Sequence, residues 1–218
     1  MLDWIVSQRK RILMSFFGVI ISGMCVGFMK VGAFGVDPFQ ALMAGLDSAI
    51  PIQFGTLYVI VNAVMLIFSL VTDRHNVGVA TFINLFLLGY VVDFTKAGLD
   101  LVFPAPSMSI RIGCMLFGIV MLCFASSLYM TASLGISTYD SVAVVMSGKW
   151  KLGRFKYVRI CTDLGCVILG AVLYLASGGK LSGIPAFIGV GTIITAFFMG
   201  PLIEFFNEKV ARPMLNGK

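Results

Sequence analysis

The sequence predicts an all-α integral membrane protein: six transmembrane helices as two inverted three-helix repeats, each with a short re-entrant half-helix. Three observations predict it. The 218 residues are 59% hydrophobic and only 12% charged, with a mean hydropathy of +0.99, far from the balance of a soluble domain. Apolar runs recur near residues 12–29, 54–71, 79–95, 112–131, 157–176 and 183–205, each near the ~20 residues that cross a bilayer core. Polar residues interrupt this background at matching places in the two halves.

Six spans use most of the chain, so residues 1–218 read as one membrane domain without a soluble partner domain. The N-terminal MLDWIVSQRKR and the apolar run behind it mimic a secretory signal. That run is long for a signal and further spans follow, so it reads as a retained first helix. Five cysteines (Cys25, Cys114, Cys123, Cys161, Cys166) lie scattered in apolar runs with no CxxC pair, and His75 is the single histidine. They read as small packing residues, and neither a metal nor a cofactor is expected. The net charge of +6 points to the positive-inside rule of membrane proteins rather than to nucleic acid.

Shifting the chain by 100 residues places Arg11, Ile12, Phe17, Gly18 and Gly35 on Arg111, Ile112, Phe117, Gly118 and Gly135. Val36 then meets Ile136, Phe39 meets Tyr139, and Gln40 meets Asp140. One extra residue further on aligns Asn62 with Asp163. "TFINLFLLGYVVDF" from Thr81 matches "TIITAFFMGPLIEF" from Thr192, which pairs Asn84 with Thr195, Gly89 with Gly200 and Asp93 with Glu204. The repeats run over about residues 11–97 and 111–208. With three spans each and a short stretch that does not cross, the halves have opposite orientations, as in many secondary transporters.

Charge fixes the orientation of the whole. With a cytoplasmic N-terminus, 12 of the 16 basic residues fall inside: Arg9, Lys10, Arg11, Arg74, Lys149, Lys151, Arg154, Lys156, Arg159, Lys209, Arg212 and Lys218. Only Lys30, Lys96, Arg111 and Lys180 fall outside. The bias places both termini in the cytoplasm. Eight spans with parallel halves would keep the same bias, so charge leaves six and eight open.

The short stretches begin with paired helix-start signals. In "GVDPFQALMAGL" Asp37 suits the N-cap, Pro38 the first helical position and Gln40 the reciprocal partner of a capping box. The second half repeats this with Ser137 as cap, Thr138 in place of proline and Asp140 as partner. Helices over about 38–48 and 138–147 are too short for a core of about 30 Å at 1.5 Å per residue. They read as half-helices with their N-termini in the bilayer middle, where non-helical backbone must be buried or line a cavity. Interfacial helices on the membrane surface are the alternative.

The spans add a polar set. Asn62 and Asp163 lie well inside theirs, and a charge at that depth costs about 2.5–3.5 kcal/mol unless it faces the bundle interior. For Asp163 a functional role and a structural pairing with Arg159 one turn earlier stand equal. Thr81, Asn84, Thr192 and Thr195 suit interhelical hydrogen bonds, and Asp93 and Glu204 read as solvated span ends. Gly23 and Gly27, with Gly18, suit close helix packing. The candidate substrate-binding set is Asp37, Gln40, Asn62, Asn84, Ser137, Thr138, Asp140, Asp163 and Thr195.

At these residues the sequence resembles the YczE/YitT-type family of small bacterial integral membrane proteins. The resemblance lies in "KVGAFGVDPFQALMAGL", "FGTLYVIVNAVML" and "TFINLFLLGYVVDF", covers nearly the whole chain, and favours the YczE branch because no soluble C-terminal domain follows. The turn departs from the family's pattern: Asp37 takes the Ser/Thr-like cap, and Gln40 replaces an aspartate that appears as Asp140 in the second half. The resemblance implies the architecture and a transport role but no substrate.

The expectation is a small secondary transporter or permease with a midplane site between the repeats. Asp37 and Asp140 at the half-helix starts favour a neutral, zwitterionic or cationic solute over a bare anion. No phosphate-cradling Gly-rich motif suggests ATP use. No HExxH, Ser/His/Asp set or separate carboxylate pair suggests an enzyme. The alternative is an accessory or scaffold protein whose basic segment "KWKLGRFKYVR" meets a partner or anionic lipid headgroups. Membrane lipid and a small-molecule or ion substrate are the expected partners, nucleic acid is not, and a homo-oligomer stays open.

Overall fold

The computed structural model describes residues 2–216, and all regular structure among them is helical. Lys218, counted above with the inside charges, lies beyond them. Eight principal helices follow in order: α1 (Leu2–Gly32), α2 (Pro38–Ala49), α3 (Phe54–Thr72), α4 (Val79–Val102), α5 (Met108–Thr131), α6 (Thr138–Val144), α7 (Phe155–Ala176) and α8 (Val190–Phe206). α6 continues through a wider π-helical turn, Val145–Lys149, and α8 through another, Asn207–Ala211, into a last short helix, α9 (Arg212–Asn216).

The spans Gln8–Gly32, Phe54–Thr72, Met108–Thr131, Tyr157–Ala176 and Leu181–Leu215 are long and apolar enough to cross a membrane. The sixth expected run, 79–95, forms α4, which is 24 residues long and carries Asn84, Asp93, Lys96 and Asp100. The outer faces are largely apolar. Phe17, Val64, Ile67, Phe86, Phe94, Ile168, Ile193 and Phe197 are all exposed, a surface that water would not tolerate over such an area and that lipid covers.

Small residues set how closely the helices pack. α1 runs alongside α4, where added Cβ atoms on Gly23 and Gly27 would meet Val91 and Thr95 side chains at 2.8 Å. This is the role the Gly-x-x-x-Gly spacing predicts. α1 crosses α5 in the opposite sense, since Gly18 approaches Ala125 while Gly32 approaches Arg111. α2 follows α7 closely: a Cβ on Gly45 would lie 2.2 Å from the Gly170 carbonyl oxygen. At the far end Ser177 Oγ donates to Ser48 Oγ at 3.2 Å. α6 follows α3 in the same way, from the Thr138–Asn62 bond at its start to Lys149, which donates to the Thr72 carbonyl at its end. Each short helix therefore starts beside the middle of a long one and ends level with its tip.

Contacts between the halves come in exchanged pairs. Arg11 donates to the Ala132 carbonyl at 3.3 Å, and Arg111 donates to the Gly32 carbonyl at 3.0 Å. Gly18 packs on the Ala125 carbonyl, and Gly118 on that of Cys25. The Ala80 N–H donates to the Leu134 carbonyl at 3.0 Å, and the Gly191 N–H to the Phe34 carbonyl at 2.7 Å. The turn before each short helix thus docks on the helix start of the opposite half.

Those two turns follow one backbone path. Ala33 and Ser133 both have φ of 52°, and Gly35 and Gly135 have φ of 104° and 110°. At the glycines this is the left-handed region that L side chains avoid. Space forbids a side chain there too, because a Cβ on Gly35 would fall 2.6 Å from the Gly189 nitrogen, and one on Gly135 2.5 Å from the Gly78 nitrogen.

Candidate functional site

The two short helices begin as their sequences predict. Asp37 caps α2, its Oδ1 accepting from the Gln40 N–H at 3.2 Å, with Pro38 in the first turn. Ser137 caps α6, its Oγ accepting from the Asp140 N–H at 3.0 Å. The reciprocal half of each capping box does not form. The Asp140 carboxylate accepts from the Ser137 hydroxyl at 2.7 Å and pairs with Arg159, because a guanidinium offers it a stronger, charge-assisted bond than a backbone N–H. The Gln40 side chain is 4% exposed, and its Oε1 has no hydrogen-bond partner.

These starts converge on a chamber of about 120 Å³, lined by Asp37, Gln40, Asn62, Asn84, Ser137 and Asp140 among the predicted residues. Four aromatic residues (Phe39, Tyr58, Tyr129 and Tyr139) line it as well, along with Arg159. A neighbouring cavity of about 290 Å³ shares Asp37, Tyr129, Asp140 and Arg159 with the chamber and adds Asp163 and Thr195. The structure thus gathers eight of the nine candidates around one polar space.

Their partners separate those that hold the fold from those left free. Asn62 is fully engaged: its Nδ2 donates to the Tyr58 carbonyl at 2.8 Å, and its Oδ1 accepts from Thr138. That bond ties α3 to α6, and Thr138 lies behind the chamber wall. The Thr195 hydroxyl bonds back to the Gly191 and Thr192 carbonyls, each at 3.0 Å, so it serves its own helix. Asn84 Oδ1 accepts from the Tyr58 hydroxyl at 3.2 Å. The Tyr129 hydroxyl, like Gln40 Oε1, is buried without a partner.

Arg159 is the residue that sequence reading misplaced. Counted with the inside loop charges, it lies on α7 and turns inward. Besides Asp140 it holds Asp163 Oδ1 through Nε at 3.2 Å, the anticipated i,i+4 pair, and its guanidinium carbon lies 4.4 Å from the Tyr139 ring centre. Tyr139 completes the group by donating to Asp163 Oδ1 at 2.5 Å. The alignment of Arg159 with Tyr58, implied by that of Asp163 with Asn62, was the available signal. Asp93 also departs from expectation: it is no solvated end, since its Oδ2 accepts from the Gly55 N–H at 2.8 Å and pins α4 to the start of α3.

The surroundings of the chamber are unequal. α3 packs tightly on α4, where a Cβ on Gly89 would meet the Gly55 Cα at 3.0 Å. At Gly200, the matching position of α8, nothing lies within 4 Å of an added Cβ. An apolar cleft of about 250 Å³ separates α7 from α8 instead, reaching from Phe197 and Ile193 in to Asp163 and Pro38. A further cavity of about 400 Å³, lined by Arg11, Thr131, Asn207 and Arg212, shares Met130 in its wall with the polar cavity of about 290 Å³. Lys30 matches Met130 in the first half; it is half-buried, with its ammonium 3.1 Å from the centre of the Phe54 ring.

The model of a family of unknown function, DUF6198, matches residues 9–208. The chain belongs to DUF6198. Relatives cover nearly its whole length. An uncharacterized protein of Haemophilus influenzae is 25% identical over 207 residues, covering 94% of this chain and 87% of its own. The uncharacterized membrane protein YczE of Bacillus subtilis is 26% identical over 196 residues, 87% of this chain and 82% of YczE. The uncharacterized protein YyaS of the same organism is 22% identical over 199 residues, 91% of this chain and 93% of YyaS. The YczE resemblance read from the turn and helix motifs holds, and this DUF6198 chain is a membrane protein. No solved structure matches it.

Proposed function

We propose that the protein is a secondary transporter for a small polar solute, which binds in the chamber between two inverted repeats. The observation that carries this reading is the pair of buried, unpartnered groups, Gln40 Oε1 and the Tyr129 hydroxyl, both lining one chamber. A buried polar group without a partner costs about 1–3 kcal/mol. A membrane protein that keeps two of them beside a cavity gains when a solute supplies the missing bonds.

The exchanged contacts support the inverted repeat, since reciprocal pairing is the pattern of a two-fold relation. The midpoint starts of α2 and α6 support half-helices and six crossings, with both termini in the cytoplasm of a bacterial inner membrane. The inequality between the α3–α4 contact and the α7–α8 cleft supports alternating access. Met130 lines both the polar cavity and the cavity at the end that carries Arg11 and Arg212, which supports an opening on that side, while Lys30 over Phe54 covers the equivalent end. Exchange of these two arrangements between the repeats would carry the solute across. No enzymatic step is assigned, because the carboxylates are spent on a cap and on Arg159.

Purified protein screened by thermal shift against small polar solutes, then tested by counterflow in proteoliposomes, decides the reading. A transporter is stabilised by a solute and accumulates it against a preloaded pool. A protein that binds a partner instead accumulates none of them.

A further inference from the structure

We infer that the solute is a small organic ammonium ion carrying a hydrogen-bond donor. This rests on the reading of the chamber as a solute site and goes beyond it by naming the charge that the site accepts.

Charge comes first. Asp37, Asp140 and Asp163 face the two joined polar cavities, and Arg159 is the one cationic side chain lining them. Asp140 and Asp163 share that guanidinium. The Asp37 carboxylate accepts from the Gln40 N–H at the start of α2, which offsets about half a charge there. Three carboxylates against one guanidinium and that half charge leave the space short of roughly one to two positive charges, so a cation fits and an anion does not. Among the described residues no group of three or more His, Cys, Asp or Glu is placed to hold a metal ion, so an organic cation fits the geometry better than a chelated metal.

The walls agree with the charge. Phe39, Tyr58, Tyr129 and Tyr139 line the chamber; Tyr139 already holds Arg159 over its ring and stacks on Phe39, so Tyr58 and Tyr129 are the rings left for a bound ammonium, which aromatic faces attract through their quadrupole. The buried acceptor Gln40 Oε1 needs a donor, which an N–H or O–H on the solute supplies. A space of about 120 Å³ lies well below the ~300–1,000 Å³ of pockets that take drug-sized ligands, which restricts the ligand to a small solute.

Three probes share one branched shape, with nitrogen at the branch point in the first and carbon in the others, and differ in charge: choline, the neutral 3,3-dimethylbutan-1-ol and the anionic 3,3-dimethylbutanoate. Binding of each to the purified full-length protein is measured by calorimetry and thermal shift. Choline is expected to bind at least tenfold more tightly than the alcohol, and the acid not at all. Asp37→Asn keeps a cap oxygen for the Gln40 N–H, so the fold should persist while choline affinity falls at least tenfold and the alcohol is unaffected. Equal binding of choline and the alcohol, preference for the acid, or no binding by any of the three overturns the inference. If the alcohol or the acid binds and Gln40→Met abolishes that binding, the chamber is still a solute site and only its cation selectivity is wrong.

Discussion

The rings of Phe39 and Tyr139 stack with their centres 4.8 Å apart and their planes 17° from parallel. The two residues hold the same place in the two halves, each in the first turn of its short helix. The stack joins the first turns of α2 and α6 directly. Aromatic pairs contribute about 0.5–1.5 kcal/mol beyond the area they bury. A double-mutant cycle of Phe39→Ala and Tyr139→Ala, read by unfolding in detergent, should give a coupling of about that size. Strict additivity would mean that the joint is held by its neighbours alone.

Gln40 and Asp140 occupy matching positions with opposite prospects. Gln40→Met removes an unpartnered buried acceptor at nearly constant volume, so stability should stay level or rise by about 1 kcal/mol. Solute binding and uptake should fall. Asp140→Asn removes one of the two carboxylates on Arg159 and should cost about 1–3 kcal/mol of stability, in the range of hydrogen bonds to charged groups. Melting temperature and uptake measured on the same preparations separate the two outcomes. A Gln40→Met protein that melts markedly lower would show that the amide is structural.

The contact of Gly45 with Gly170 leaves no room between α2 and α7. Gly45→Val should therefore destabilise by about 1–3 kcal/mol, as overpacking does. Gly98 on α4 has nothing within 4 Å of an added Cβ, and Gly98→Ala should be neutral or stabilising by up to about 1 kcal/mol through helix propensity. Paired thermal melts would reveal a wrong helix pairing if the order of the two variants reversed.

Topology offers a test independent of any solute. Six crossings put residues 72–76 on the cytoplasmic side and 98–108 outside, and eight reverse both. Reporter fusions after Asn76 and Pro106 should be cytoplasm-active and periplasm-active respectively. A periplasm-active reporter at Asn76 removes the inverted repeat.

The sequence by itself determined what depends on local chemistry. Apolar runs near the bilayer thickness gave the long helices, Asp37–Pro38 and Ser137 gave the short-helix starts to the residue, and the spacing of Gly23 and Gly27 gave a packing face. Matching glycines at 35 and 135 marked turns whose φ only glycine adopts comfortably. The tertiary structure alone decided which side chain meets which. A capping box is a local rule, and it lost at Asp140 because Arg159, 19 residues away, presents a full charge across the gap between α6 and α7. Asp93 looked like a span end until packing brought the Gly55 N–H within 2.8 Å of it. The unpartnered Oε1 of Gln40, the Tyr129 hydroxyl and the unequal packing of α4 and α8 have no signature in the chain. They arise from three-dimensional complementarity, which composition and spacing do not encode.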